Sequence, residues 1–71
     1  MAKKSIMLHN NDLIIELIGE LNEFDVSSVV KKIKYLSRIY SVEHIIINLK
    51  KLENKENYID IFDSENIILI Y

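Results

Sequence analysis

The stretch LIIELIGELN, residues 13–22, is followed by a basic amphipathic segment and then by VEHIIINL, residues 42–49. Apolar side chains alternate through residues 13–21, which is typical of a strand covered on one face. From Val26 the apolar spacing becomes helical. Residues 45–47 are three consecutive isoleucines, which indicate a strand buried on both faces. Strand, helix and strand in this order predict a βαβ unit with parallel strands.

The flanking segments extend this unit in both directions. Residues 5–8 predict a short first strand, and the polar turn HNND, residues 9–12, joins it to the second as a hairpin. Residues 58–62 predict a short helix or an extended piece, and residues 66–71 predict a last strand. The predicted fold is a single α/β domain, residues 1–71, with a small mixed sheet in the order β-β-α-β-(short helix or loop)-β.

The helix has a choice of starting points. Asp25 is the expected N-cap, with Asn22 as the competing choice. Ser41 is the expected stop. The apolar stripe of this helix consists of Val26, Val29, Val30, Ile33, Leu36 and Tyr40.

Composition limits the function classes. The chain has 71 residues, 49% of them hydrophobic, a net charge of -2 and no cysteine. These values exclude a disulfide framework and a thiolate metal site, and they predict no general attraction to nucleic acid. We expect a cytoplasmic protein without membrane insertion. The abundance of Ile, Asn and Lys suggests an AT-rich bacterial or phage genome.

One face of the predicted sheet lacks a helix to cover it. The single long helix covers one face and leaves Ile14, Ile18 and part of residues 45–47 on the other. Residues 53–65 could cover part of that second face, but this segment is short and charged. Because an uncovered apolar patch usually marks an interface, we expect self-association or a protein partner.

The segments LIGELN, residues 17–22, and IIINL, residues 45–49, resemble STAS domains, the family of anti-sigma-factor antagonists. That family carries a strand ending in a GELD-like motif, a cap three residues later, an amphipathic helix and a strand reading "hhhNL". The match needs no gap between Gly19 and Leu49 and covers residues 13–52. The resemblance implies a STAS-like fold and a regulator that docks on a protein partner and masks it.

The chain departs from the family at the phosphorylation switch. Anti-sigma-factor antagonists present an Asp-Ser-[Ser/Thr]-Gly turn, whereas the aligned residues 56–59 read ENYI. Asp63 and Ser64 restore an Asp-Ser pair only after an insertion of seven residues, and the glycine is missing. Ser64 is therefore a candidate phosphoacceptor, although a turn residue before the last strand is the simpler interpretation.

Basic side chains on the helix form the main candidate binding surface. Lys31, Lys34 and Arg38 share one helical face with Tyr35 beside them. This face suits an acidic protein or a phosphate backbone. Lys50 and Lys51, which follow the central strand, are candidates for the same partner.

The remaining polar residues favour simple structural roles. His9 and His44 have no metal-ligand spacing, and Glu16 and Glu20 lie on a strand face that we expect to be solvated. We predict no catalytic residue, no metal site and no cofactor. The leading hypothesis is a non-enzymatic protein-binding regulator. The alternatives are a self-assembling homodimer and a nucleic-acid binder that uses the basic helix face.

Overall fold

The computed structural model describes residues 2–71, so Met1 of the predicted domain lies outside it. The chain forms a four-stranded mixed sheet with one long helix, which confirms the predicted α/β fold class. In chain order the elements are β1 (Lys3–His9), β2 (Asp12–Gly19), α1 (Glu23–Ile39), β3 (His44–Leu52), a 3₁₀ turn (Lys55–Asn57), α2 (Ile59–Phe62) and β4 (Ile67–Ile70).

The sheet has the strand order β1-β2-β3-β4. β1 is antiparallel to β2, and the turn between them has positive φ at Asn10 (49°) and Asn11 (68°). Two such residues in succession match the twist of a tight hairpin, which Asn tolerates better than most residues. β2 is parallel to β3 and β3 is parallel to β4, so both the hairpin and the βαβ unit are confirmed.

The core lies on one face of the sheet. Leu13, Ile15 and Leu17 of β2 are fully buried there, as are Ile47 and Leu49 of β3. Both helices contribute to this same core, α1 through Val29 and α2 through Phe62. The prediction that residues 53–65 cover part of the opposite face is therefore wrong. The Phe62 ring is buried on the face that α1 already covers, so residues 53–65 pack on that face.

The opposite face carries the alternate side chains of every strand, and we call it the open face. The strand register places Met7, Ile14, Ile46 and Ile68 side by side in one apolar row. Ile14 and Ile46 are only half-buried, and Met7 and Ile68 remain 54% and 50% exposed. Within residues 2–71 no helix packs into this row, as the sequence predicts.

The helix begins three residues before the predicted start. Asn22 is the N-cap, and Asp25 is the third helical residue instead of the cap. The Asn22 side chain accepts a hydrogen bond from the Asp25 amide at 2.9 Å, and an Asp25 carboxylate oxygen accepts one from the Asn22 amide at 3.1 Å. This reciprocal capping box satisfies two amides at the helix end. Asn22, the alternative cap in the prediction, is therefore the N-cap, and Asp25 supplies the second half of the same capping box.

Other element ends also differ from the prediction. α1 stops before Ser41, with Tyr40 as its C-cap, and the Tyr40 side chain is 48% exposed instead of completing the apolar stripe. β2 ends at Gly19, whose φ of 96° turns the chain out of the sheet. Such a backbone angle costs other residues about 1–2 kcal/mol, which explains the position of the only glycine in the chain.

The segment after β3 is attached to the β2–α1 connection by side chains. The Asn54 side chain accepts a hydrogen bond from the Leu21 amide at 3.1 Å and donates one to the Leu21 carbonyl at 2.9 Å. The Tyr58 hydroxyl donates to the same carbonyl at 3.1 Å. Asn54 therefore replaces the strand partner that Leu21 lacks beyond the end of β2, and it allows the Leu21 side chain to stay buried.

Removal of the helix cap has a predictable cost. Asn22→Ala is expected to lower the free energy of unfolding by about 1 kcal/mol, because the Asp25 amide loses the side-chain oxygen that accepts its hydrogen bond. Asn22→Ser, which keeps a capping oxygen, is expected to retain most of that stability. Urea unfolding followed by circular dichroism measures both variants. Equal losses for Ala and Ser would show that the cap does not stabilise this helix.

Asn54 provides a second stability test. Asn54→Ala leaves the part-buried amide and carbonyl of Leu21 with fewer partners, so we expect a loss of about 1–3 kcal/mol. Asn57→Ala is the matched control, because Asn57 is exposed and its side chain makes no hydrogen bond to Leu21. The control is expected to stay within about 0.5 kcal/mol of the parent protein. A loss of similar size in both variants would contradict the anchoring role of Asn54.

Candidate functional site

A shallow groove of about 500 Å³ lies between β1 and α1. Its wall on the sheet side is Lys4, and the rest of its lining comes from the exposed surface of the helix. The residues that line it are Lys4, Phe24, Ser27, Ser28, Lys31, Lys32 and Tyr35. We call this surface the basic groove.

The hairpin register brings Lys4 to the helix. Lys4 pairs with Leu17 across the β1–β2 ladder, so its side chain stands on the same sheet face as the core. Its ammonium group donates a hydrogen bond to the Ser28 hydroxyl at 2.6 Å. This contact joins residues that are 24 positions apart in the chain and closes one end of the groove.

Helical spacing supplies the rest of the lining. Phe24, Ser28, Lys31 and Tyr35 are separated by four, three and four residues, so they follow one side of α1. The Phe24 ring is 86% exposed and the Tyr35 ring is 60% exposed. Both rings flank the lysines and lie apart from the buried stripe that contains Val29.

The lining carries positive charge without any acidic group. Three lysine ammonium groups and two serine hydroxyls accompany the two aromatic rings. The lining therefore carries three positive charges although the whole chain has a net charge of -2. Ammonium groups and hydroxyls bind anionic oxygens, while exposed rings pack against apolar or planar groups. The lining holds neither a histidine nor a carboxylate that would activate a serine as a nucleophile.

The structure divides the predicted basic surface into separate parts. Lys31 and Tyr35 line the groove, whereas Lys34 and Arg38 lie on α1 outside that lining. Lys50 and Lys51 belong to the end of β3, where the Lys51 ammonium lies 3.9 Å from a carboxylate oxygen of Glu16 on the open face. Lys50 and Lys51 are therefore separate from the helix surface, whereas the four predicted residues of α1 remain neighbours along one side of it.

Sequence reasoning missed part of the groove. Lys4 is not recognisable from the sequence, because only the hairpin register places it beside the helix. Phe24 does carry a signal, since a large aromatic residue in the first helical turn lies off the apolar stripe that α1 buries. Once the exposed side of α1 is known, the helical spacing also predicts Ser27, Ser28 and Lys32 as lining residues.

The other candidate residues occupy structural positions. Ser64 is exposed in the turn before β4, where its carbonyl accepts a hydrogen bond from the Ile67 amide at 3.1 Å. His44 Nδ1 lies 2.9 Å from an Asp12 carboxylate oxygen, and His9 Nε2 lies 3.2 Å from the Asn10 side-chain amide. Both contacts lie at the end of the sheet that carries the β1–β2 turn.

Residues 2–71 contain no group of three side chains arranged to hold a metal ion. None of the helices in this part of the chain is long and apolar enough to span a bilayer. A comparison with protein-family models finds no match, and neither does a comparison with curated proteins.

Substitution of the exposed Phe24 tests whether its ring contributes to the stability of the fold. Phe24→Ala is expected to change the free energy of unfolding by less than about 0.5 kcal/mol, because the ring is almost fully exposed. Val29→Ala, on the buried side of the same helix, is expected to cost about 1–3 kcal/mol. Chemical denaturation of both variants makes the comparison. A large loss for Phe24→Ala would assign the ring to the fold instead of to a binding surface.

Proposed function

We propose that this protein is a non-enzymatic regulatory module that docks on a partner protein through the basic groove and masks it. The observation that carries the proposal is the lining itself: two lysines and two exposed aromatic rings lie together on the outer surface of α1, and Lys4 of β1 lies beside them. A fold that needed these rings for its own core would bury them. Their exposure makes them available to another molecule.

The partner surface is defined by this lining. It presents carboxylates to Lys4, Lys31 and Lys32, and it offers an apolar or aromatic side chain to Phe24 and Tyr35. The aromatic contacts supply most of the binding free energy, because aromatic side chains dominate interface hot spots. The lysine contacts mainly set the orientation and the association rate.

The resemblance to STAS domains is part of this proposal. Three features of the fold support it: β2 ends at the glycine of the GELN segment, a capped amphipathic helix follows, and β3 lies parallel to β2. The mechanism we propose is occupancy of the partner surface by α1. It requires no phosphorylation switch, no metal and no cofactor, and it operates in the cytoplasm.

The decisive experiment compares two lysines of the same helix. Lys31→Glu reverses a charge inside the groove, whereas Lys34→Glu makes the same change outside its lining. The full-length chain and both variants are used to capture proteins from a lysate of the native host, and binding to the captured protein is measured by calorimetry. We expect Lys31→Glu to weaken binding about tenfold or more and Lys34→Glu to change it less than about threefold.

Tyrosine variants complete the comparison. Tyr35→Ala removes a ring from the groove, and Tyr40→Ala removes one of similar exposure at the end of the helix. Loss of binding only for Tyr35→Ala supports the groove as the docking site. Equal effects of the groove and control variants, or the absence of any saturable protein partner, would reject the proposal.

Nucleic acid is the competing ligand, because lysines beside exposed rings also suit a single strand. Fluorescence anisotropy with a labelled oligonucleotide at several salt concentrations separates the two ligands. Affinity that falls steeply with salt and is lost in Lys31→Glu would replace the protein partner by a nucleic acid. Negligible affinity at low salt favours the protein partner.

A further inference from the structure

We propose that the open face of the sheet is the interface of a two-fold symmetric homodimer in which the strands of the two copies run in opposite directions. This proposal is independent of the basic groove, because the groove lies on the helical layer and the open face is the other surface of the sheet. The argument begins with the strands themselves.

Three of the four strands are parallel to one another. Parallel sheets are normally covered on both faces, and their strands are accordingly apolar at consecutive positions. Here β3 contains three successive isoleucines and β4 has the sequence IILI. The core covers one set of these side chains, while the row formed by Met7, Ile14, Ile46 and Ile68 has no cover within residues 2–71.

The total accessible surface area of the chain is consistent with a sheet face that another molecule covers. The accessible surface is 5095 Å², whereas a monomeric protein of 8.4 kDa exposes about 4,600 Å². The excess of about 500 Å² resembles the area of one small sheet face. The chain therefore exposes about a tenth more surface than the average monomer of its size.

The charges on the open face indicate which kind of molecule covers it. Asp12 lies at one end of the strands, in register with His44. Lys3 and Lys51 lie at the other end, both in register with Ile18. The apolar row and a second row, formed by Ser5, Glu16, Asn48 and Ile70, lie between the two ends. Glu16 lies 3.9 Å from Lys51 and His44 lies 2.9 Å from Asp12, so the opposite charges at the two ends are those of Asp12 and Lys3.

A surface of this kind is complementary to itself. A two-fold axis that crosses the strands in the plane of the interface turns the second copy end for end. Lys3 of each copy then lies near Asp12 of the other. The two apolar rows lie on either side of the axis, each beside the second row of the other copy. Isologous contacts of this type are the commonest way in which identical subunits associate.

The size of the face limits the affinity. The molecule measures 31 × 20 × 18 Å, so one face projects to roughly 600 Å², below the standard of about 800 Å² buried per partner. We therefore expect a dimer with a dissociation constant in the micromolar range, which only a concentration series will reveal.

Two isoleucines provide a matched pair for the first test. Ile68 lies in the apolar row and is 50% exposed, whereas Ile61 lies on α2 and is 56% exposed. Sedimentation equilibrium of the full chain, Ile68→Lys and Ile61→Lys is measured from about 1 μM to about 1 mM. We expect a monomer–dimer equilibrium for the parent chain, an unchanged equilibrium for Ile61→Lys, and a dissociation constant raised at least tenfold for Ile68→Lys.

Charge reversal tests the two-fold arrangement. Asp12→Lys and Lys3→Asp each place like charges opposite one another across the proposed interface, so each is expected to weaken the dimer about tenfold. The double variant restores opposite charges and is expected to return to within about threefold of the parent affinity. Circular dichroism and thermal unfolding of each variant confirm that the monomer fold is retained.

Three outcomes would overturn the proposal. The first is a parent chain that remains monomeric at about 1 mM. The second is equal weakening by Ile68→Lys and Ile61→Lys, which would remove the open face from the interface. The third is a double charge variant that stays as weak as the single variants. A monomeric chain that still loses its protein partner in Lys31→Glu would reject the dimer and leave the groove intact.

Discussion

The structure depends on one constraint: within residues 2–71, both α1 and α2 pack against the same face of the sheet. A chain of 71 residues buries enough apolar surface for one core only. That core joins three β2 side chains to Val29 of α1 and Phe62 of α2. Because both helices are used on this side, the second face of three parallel strands keeps its isoleucines exposed.

The basic groove is a consequence of the same packing. α1 turns its apolar stripe toward β2 and β3, so its opposite side faces outward and carries two rings and two lysines. The β1–β2 hairpin then sets Lys4 beside Ser28. The net charge of -2 does not reveal this local concentration of positive charge, because most of the acidic residues lie elsewhere in the chain.

The two candidate surfaces differ in physical character as well as in position. The groove combines ammonium groups with exposed rings, so the binding we propose there would respond to salt and to loss of a ring. The open face carries an apolar row, and the association we propose there would be driven mainly by burial of isoleucine and methionine side chains. Since they occupy opposite layers, a dimer leaves both grooves accessible.

The sequence alone determined the strand–helix–strand order, the tight hairpin and the apolar second face. Each of these follows from local periodicity or from turn residues such as Asn10 and Asn11, which act within a few positions of the chain. Tertiary structure alone decided the position of Lys4 in the groove, the attachment of Asn54 to Leu21 and the face on which Phe62 is buried. Those contacts join residues more than 20 positions apart, and no local pattern encodes the register that brings them together.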